Sequence, residues 1–523
     1  MWKPLDERWA AFAIWTLIVL SIAERALLLH YFGFTHIGID DALVQQVAID
    51  MSNGLFREPF LYGQNYNPML EALLAALFLG SGASPTIVLP MVTSLLALLP
   101  FWSWAVWANQ RCAVTAAFVL ASTPMALPLE WGMITSMPRG WVHGQALLAV
   151  IPWLMGVRPV FVRYAMLSST LVASLLLNPN ALPLVTGLSI WLVLRHGRAP
   201  WLWITGSLSL GMGWAVQDAA RSWYAARPGV VVHPLLPADV SFDPALLSHG
   251  ISHLDEHLVH MVPFMVNGTI GIVFLLLLAG LIWYNGDRAI GAALIGGLFT
   301  MVIALGLPKV HEGCASVFFP LSRMMLAFPL ILGLAVALLF RSHLLPRFAL
   351  VVLPCGALLL PFIVGALPGR IQDQLDKQEC AWVREEPLAV VRERCRTIHE
   401  AAIRSGCDLI VPVRWPGIKI DHRQHFAAHF TCYACPQLEP GLPPIHGAGY
   451  ERRSWVRKAH EAPPQGLVLF VGGDPDAWRR AILAGRAIED LSAHGVNLHA
   501  AICDTIAVGD FLLQLGMDDD LGR

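Results

Sequence analysis

Charged side chains are scarce in this chain, and their scarcity limits what the protein can be. Asp, Glu, Lys and Arg make up 14% of the 523 residues, the net charge is −2, and the mean hydropathy is +0.58. Soluble domains carry about 25% charged residues, so this composition excludes an ordinary soluble enzyme. The balance of charge also gives no indication of nucleic-acid binding. A polytopic membrane protein is the class that remains.

Several sequence signals are also missing. The N-terminus has no small-residue cleavage site before its first apolar run ends at Glu24, which predicts a retained span rather than a signal peptide. We find no sustained internal repeat and no matched pair of broken helices of the kind that marks inverted-repeat transporters. The segment VGGDPD at 471–476 lacks the spacings of nucleotide-binding loops, so it predicts a strand-to-helix turn capped by Asp474.

Long apolar runs are what the sequence has in abundance. Each run is about 20 residues long and can cross roughly 30 Å of hydrocarbon as a helix. Together these runs predict about eleven transmembrane helices. Segment 68–79 carries Glu71 and is too short to cross comfortably, so we interpret it as an interfacial or re-entrant helix. The predicted spans are 9–30, 84–108, 112–129, 143–157, 160–178, 180–195, 200–217, 263–284, 288–307, 320–340 and 346–367.

Basic residues in the short loops predict the orientation. If segment 68–79 stays on the outer face, the loops with Arg111, Arg158, Arg195, Arg288 and Arg341 all lie on the side of the N-terminus, as the positive-inside rule requires. The N-terminus is then cytoplasmic. Four polar regions lie on the opposite, extracytoplasmic face: 31–83, 130–142, 218–262 and 308–319. We expect the chemistry on that face.

Composition changes sharply near residue 368, which divides a transmembrane bundle at 1–367 from a charged, Pro-rich region at 368–523. The periodicity of this tail predicts a small α/β domain on the extracytoplasmic side. Runs 408–413 and 466–472 are typical of buried strands, and 475–490 is typical of a helix. One face of an earlier helix is formed by Leu388, Val391, Cys395, Ile398 and Ala402.

Most cysteines lie in this tail. Six of the nine are found there, and an even number in an exported domain indicates disulfides whose connectivity the sequence leaves open. The pattern HxxxHxxCxxC could instead be a zinc knuckle. Disulfides are the favoured interpretation. The six cysteines are Cys380, Cys395, Cys407, Cys432, Cys435 and Cys503, and the zinc alternative involves His425, His429, Cys432 and Cys435.

Asp40 and Asp41 follow the first predicted span, at the start of an amphipathic helix. The pair could simply cap that helix, since Asp is favoured at the N-cap and in the first turn. Alternatively, one carboxylate could act as a general base on an acceptor hydroxyl or amine at the membrane surface. Both interpretations are open from the residues alone. The apolar face of the helix is formed by Leu43, Val44, Val47, Ala48 and Met51.

The motifs around this pair occur in a recognisable order. The first span closes in Arg25-Ala-Leu-Leu-Leu, followed by Ile39-Asp40-Asp41-Ala42, Asn53-Gly54-Leu55, Tyr62-Gly63-Gln64-Asn65-Tyr66-Asn67-Pro68 and Leu70-Glu71-Ala72. A later segment reads Ser322-Arg323-Met324-Met325-Leu326, then Phe328-Pro329. This order resembles GT-C-fold glycosyltransferases, including bacterial relatives of protein O-mannosyltransferases and of lipid A aminoarabinose transferases. Relatives often have Tyr or Leu where Met324 and Met325 stand.

The resemblance implies a GT-C-like bundle in the bacterial inner membrane that takes a sugar from a polyprenyl-phosphate donor on the periplasmic face, with inversion. Asp40 maps onto the family's catalytic carboxylate, which deprotonates the acceptor. Asp41 is implied as an orienting partner or a metal contact. The turn that follows supplies Tyr62, Gln64 and Tyr66 as expected substrate contacts. The acceptor stays open as a glycan, lipid or protein.

A polyprenyl-phosphate leaving group needs cations, and guanidinium suits phosphate because its donors are planar and always charged. The exported candidates are Arg57, Arg139, Lys309 and Arg323. Each could instead be an interfacial anchor that reaches the lipid headgroups. Arg139 and Arg323 are favoured as phosphate ligands because both lie at span ends on the exported face.

A row of histidines lies in the third exported region. Histidines at i, i+4 and i+8 share one helical face and can ligate a transition metal, although the pattern is not HExxH. A polar interfacial helix is the favoured interpretation. The alternative is a site for a divalent ion. The row consists of His249, His253, His257 and His260, with Asp255 and Glu256. Candidate metal ligands are Asp41, His253, His257 and Glu312, and His311 could touch the donor or such an ion.

Two other functions are possible. A transporter or flippase of lipid-linked saccharide would carry ionisable residues through the middle of the membrane, and this chain has almost none after Arg25, itself a candidate by position. A cell-envelope scaffold would need fewer spans for anchoring. Glycosyl transfer is the favoured function. The expected partners are the polyprenyl-phosphate-linked donor, membrane lipid and the acceptor, without nucleic acid.

Overall fold

The structure is a computed structural model, in which the chain forms two compact units. It describes residues 7–64, 66–227, 230, 236–262, 267–311, 323, 325–339, 365–377, 385–413, 431, 434–445, 466–503 and 508–517. The first unit comprises Met1–Phe34, Tyr66–Ala219 and Leu235–Lys377. The second comprises Thr35–Asn65, Ala220–Pro234 and Gln378–Arg523.

Helices dominate the described residues up to 377. In chain order they are α1 (Glu7–Leu28), α2 (Ile39–Ser52), α3 (Leu70–Leu79), α4 (Pro85–Gln110), α5 (Val114–Ala126), α6 (Leu129–Ile134), α7 (His143–Leu147), α8 (Ile151–Leu154), α9 (Val160–Leu177), α10 (Leu182–His196), α11 (Pro200–Ala225), α12 (Pro244–Ser252), α13 (Leu254–Leu258), α14 (Gly268–Tyr284), α15 (Arg288–Ala304), α16 (Pro308–His311) and α17 (Phe328–Leu339). Residues 365–376 form a further helix.

The helices agree with most predicted spans in position. Within the described part of the chain, three helical stretches are long and apolar enough to cross a membrane, namely Arg8–Gly33, Pro85–Gln110 and Val160–Leu177. Shorter apolar helices include α3, α5, α14, α15 and Met325–Leu339. The number of spans therefore stays a prediction, and most of the predicted span 346–367 lies outside the described residues.

The predicted span 143–157 is wrong as a continuous helix. The structure has α7, a 3-10 turn at Leu148–Val150 and the four-residue α8 instead. Pro152 has no N–H to donate to the preceding turn, which breaks the regular hydrogen-bond pattern of an α-helix. Hydropathy alone does not register this break.

Glycines allow α10 and α15 to pack closely in the first unit. A Cβ at Gly187 would lie 2.9 Å from the Ala293 carbonyl oxygen, and one at Gly297 would lie 2.9 Å from that of Pro183. Small residues at such contacts let helix backbones approach, as is common between membrane helices. Arg25 ties α1 to α6, because its Nη1 donates to the Gly132 carbonyl at 3.0 Å and to Thr135 Oγ1 at 2.9 Å. Its role in the structure is thus a helix-to-helix link.

The second unit contains α2 and two small sheets. Strands β1 (His36–Ile37) and β2 (Glu386–Pro387) are antiparallel, with Ile37 opposite Glu386. The larger sheet has the order β3-β4-β6-β5, in which β3 pairs with β4 in parallel and β6 pairs with both β4 and β5 antiparallel. Its strands are β3 (Leu409–Val413), β4 (Leu467–Gly472), β5 (Ile488–Asp490) and β6 (Leu498–Ile502). Besides α2, the described part of the second unit contains the helices Leu388–Ser405, Cys435–Leu438, Pro475–Leu483 and Val508–Gln514.

These elements confirm the two predicted buried strands and the apolar face of helix 388–405. They also confirm that Asp474 caps helix Pro475–Leu483, because its Oδ1 accepts from the Asp476 N–H at 2.9 Å. The helix predicted over 475–490 is too long, because it ends at Leu483 and residues 488–490 form an edge strand. Cys395 and Cys435 form a disulfide, which confirms a disulfide role for Cys435. His425, His429 and Cys432 lie outside the described residues.

Candidate functional site

The acid pair lies in the first turn of α2, as the sequence predicts. Gly38 is the N-cap, and its N–H donates to Asp41 Oδ2 at 3.0 Å. Asp41 is buried with 4% of its surface exposed, so the capping interpretation describes this residue well. Asp40 is half-buried in the same turn.

Asp50, at the other end of α2, is a polar centre that sequence reasoning missed. Its Oδ2 accepts from Arg57 Nε at 2.9 Å and from the Tyr62 hydroxyl at 2.7 Å. Burial, followed by the hydrogen bond to Asp50, raises the pKa of Tyr62 above its ordinary value. Arg57 and Tyr62, both expected to bind substrate, are thus engaged in holding residues 57–62 against α2. No periodic pattern singles out Asp50, since it is one polar residue near a helix end.

The rest of this loop is held by the end of α11. Tyr224 donates to Glu58 Oε2 at 3.2 Å and stacks on Phe60 with ring centroids 6.3 Å apart. Gln64 is half-buried, and its Oε1 has no hydrogen-bond partner among the described residues. Of the turn residues expected to contact substrate in this unit, Gln64 is therefore the one with unused hydrogen-bonding capacity.

Two predicted cations come together in the first unit. Arg323 Nη2 donates to the backbone carbonyl of Lys309 at 3.2 Å, and Lys309 Nζ lies 5.9 Å from the centre of the Tyr66 ring. His311 lies on the same short helix as Lys309, with its Nε2 at the Leu305 carbonyl. The structure therefore gathers Tyr66, Lys309 and Arg323 into what we call the Lys309 cluster. Arginine and lysine side chains from one such cluster are the kind of groups that bind phosphate.

Arg139 lies in a buried, non-helical segment that we call the Arg139 loop, residues 135–142. Only 4% of Arg139 is exposed, and its guanidinium lies 5.3 Å from the centre of the Trp141 ring. The Gly140 N–H donates to Glu71 Oε2 at 2.9 Å, and the Gly140 carbonyl accepts from Asn178 Nδ2 at 2.8 Å. Buried irregular backbone is stable only when its polar groups are paired in this way.

Asn67 joins the two cationic groups of the first unit. Its Nδ2 lies 3.4 Å from the Arg139 carbonyl oxygen, while the neighbouring Tyr66 lies beside Lys309. Asn67 adopts a left-handed backbone, with φ of 70°, which Asn tolerates better than most residues. The dipeptide 66–67 thus touches both the Arg139 loop and the Lys309 cluster.

The predicted row of histidines does not form one helical face. The helix breaks at His253, which ends α12, and α13 begins at Leu254. Asp255 accepts hydrogen bonds from Asn267 and Thr269 at the start of α14, and the bonds from Thr269 hold its pKa below the ordinary value. The rings of His249 and His253 are tilted by 42° to each other, with centroids 4.2 Å apart. Asp255 is therefore used in capping a helix.

Metal ligands were the other expectation for this region. In the part of the chain that the structure describes, no group of three or more His, Cys, Asp and Glu residues could hold a metal ion. Glu312 and the side chain of His257 lie outside the described residues.

The structure is similar over nearly its whole length to crystal structures of ArnT from Cupriavidus metallidurans. For ArnT in the apo state, the TM-score is 0.54 at 11% identity, with 94% of this chain and 98% of ArnT covered. The chain has the GT-C fold. For ArnT bound to undecaprenyl phosphate, the TM-score is 0.56 at 10% identity, with 94% and 99% covered. The sequence matches no protein-family model and no curated protein, so the GT-C fold is evident here from tertiary structure.

Proposed function

We propose that this protein is an inverting glycosyltransferase that moves a sugar from a polyprenyl-phosphate donor to an acceptor on the periplasmic face of the bacterial inner membrane. The observation that carries the proposal is the end-to-end structural match to ArnT bound to undecaprenyl phosphate. The proposed orientation places the N-terminus in the cytoplasm and residues 368–523 in the periplasm.

Arg139, Lys309 and Arg323 are the proposed ligands of the donor phosphate. Negative charge builds on the phosphate as the bond between it and the anomeric carbon breaks, and fixed guanidinium and ammonium groups stabilise that charge. The contact of the Arg323 guanidinium with the Lys309 backbone supports this role, as does the position of the Lys309 ammonium beside Tyr66. Tyr66, Gln64 and His311 are proposed to contact the substrate.

Asp40 is the proposed general base. Its carboxylate accepts a proton from the acceptor hydroxyl or amine while the acceptor atom forms a bond to the anomeric carbon. The electron pair of the broken bond leaves with polyprenyl phosphate, and attack from the opposite face inverts the configuration. Asp41 fixes the first turn of α2 through Gly38 and so orients its neighbour. Arg57 and Tyr62 hold the loop of residues 57–62 against the other end of α2 through their hydrogen bonds to Asp50.

Replacement of Asp40 by Asn tests the proposal. Purified wild type should bind undecaprenyl phosphate and transfer sugar from a polyprenyl-phosphate donor. Asp40→Asn should lower transfer by roughly 10² to 10⁴, the usual contribution of a general base, and leave undecaprenyl phosphate binding unchanged. Asp287→Asn is the matched control, because Asp287 also stands at a helix start and Asn caps equally well.

Two results would contradict this assignment. Full transfer by Asp40→Asn would remove Asp40 as the base. Wild type that neither binds undecaprenyl phosphate nor transfers from any of a panel of polyprenyl-phosphate sugars would overturn the glycosyltransferase function itself.

A further inference from the structure

Glu71 is a fully buried acid in an otherwise apolar helix, LEALLAALFL. None of its surface is exposed. A carboxylate without solvent is costly unless it is paired and hydrogen-bonded, so its place in α3 demands a partner. One partner is the backbone of the Arg139 loop, because Glu71 Oε2 accepts from the Gly140 N–H. The acid on α3 is thus directed at a peptide 69 residues away in sequence.

The peptide groups beside Arg139 are held from three separate segments. Glu71 on α3 binds the Gly140 N–H, Asn178 at the end of α9 binds the Gly140 carbonyl, and Asn67 approaches the Arg139 carbonyl. The geometry is specific to glycine, since Gly140 has φ of +73°. The backbone that carries the arginine is therefore fixed on both sides by side chains outside its own loop.

We infer that Glu71 is a positioning residue, whose carboxylate holds the Arg139–Gly140 peptide so that the Arg139 guanidinium is preorganised for the donor phosphate. This role rests on the proposed function. Glu71 itself touches neither substrate nor reacting atoms in this assignment. A hydrogen bond to a charged acceptor is stronger than a neutral one, which suits a group that must fix a loop without regular structure. Preorganised groups bind a charged ligand without rearranging first.

The test compares Glu71→Ala with Glu71→Gln in the purified full-length protein. Glu71→Ala should raise the KM for the polyprenyl-phosphate donor and the Kd for undecaprenyl phosphate by roughly tenfold or more, the loss expected for a charged hydrogen bond. Glu71→Gln should recover part of this loss, because its neutral amide oxygen can still accept a hydrogen bond from the Gly140 N–H. Hydrogen–deuterium exchange of the peptide covering 135–142 should increase in Glu71→Ala and stay near wild type in Glu71→Gln.

Glu130→Ala is the matched control, because this half-buried glutamate of the same unit binds Gln374 instead, at 2.7 Å. It should leave both the donor KM and the exchange of 135–142 unchanged.

Three outcomes would overturn the positioning role. The first is that hydrogen–deuterium exchange of 135–142 is the same in Glu71→Ala and wild type. The second is that Glu71→Ala lowers the melting temperature but leaves the donor KM unchanged. The third is that Glu71→Gln recovers none of the loss seen in Glu71→Ala. The exchange measurement needs no donor. If the wild type fails to bind undecaprenyl phosphate, the proposed function is wrong. The exchange measurement would still show whether Glu71 fixes residues 135–142.

Discussion

Replacing Gly140 with Ala should destabilise the protein more than the backbone conformation alone explains. A left-handed φ of +73° costs an L-residue about 1–2 kcal/mol. The added Cβ would also lie 2.5 Å from Asn67 Oδ1 and 2.9 Å from His143 Cε1, closer than real contacts allow. Overpacking of this kind costs a further ~1–3 kcal/mol. We therefore expect a total loss of about 2–5 kcal/mol in the free energy of unfolding.

Gly82→Ala separates the two contributions. Gly82 lies in the same unit with φ of +86°, and a Cβ there would have nothing within 4 Å. It should therefore show only the backbone cost of about 1–2 kcal/mol. Thermal unfolding in detergent measures both variants, and binding of undecaprenyl phosphate should weaken in Gly140→Ala alone because the displaced Asn67 contacts the Arg139 carbonyl. Equal destabilisation by the two substitutions would refute the crowding around Gly140.

Two further predictions concern the second unit. Because the pKa of Tyr62 is raised, its hydrogen bond to Asp50 should stabilise the loop below the ordinary tyrosine pKa and be lost only as the pH rises through the raised pKa. An ultraviolet titration, with Tyr62→Phe as the reference, should therefore show that Tyr62 ionises at higher pH than an ordinary tyrosine. Asp50→Asn should bring this ionisation back toward the ordinary range. Ordinary ionisation in the wild type would contradict this. Cys395→Ser should destabilise the sheet-bearing tail by about 4 kcal/mol, because the disulfide to Cys435 closes a 40-residue loop. Cys112→Ser, at an exposed free cysteine, should melt like wild type, and equal melting of the two serine variants would contradict the prediction.

Local features of the fold were predictable because their causes lie within a few residues. The start of α2 follows from an acid pair before an apolar periodicity, and the turn at Asp474 follows from a capping residue between a strand and a helix. Interruptions within a helix were less predictable. The interruption within 143–157 depends on Pro152, but apolar composition continues through it, so hydropathy reports one span.

The sequence by itself determined the membrane class, the elements of the tail and the residue types of the candidate site. Tertiary structure alone decided their partners. Tyr62 meets Asp50 across 12 residues and Glu71 meets Gly140 across 69, separations at which no periodic pattern constrains a contact. A buried polar group must find a hydrogen-bond partner, but only the packing of the chain determines which one lies within reach. Glu71 was an acid in a short helix by sequence, and the fold makes it a support for the loop that carries Arg139.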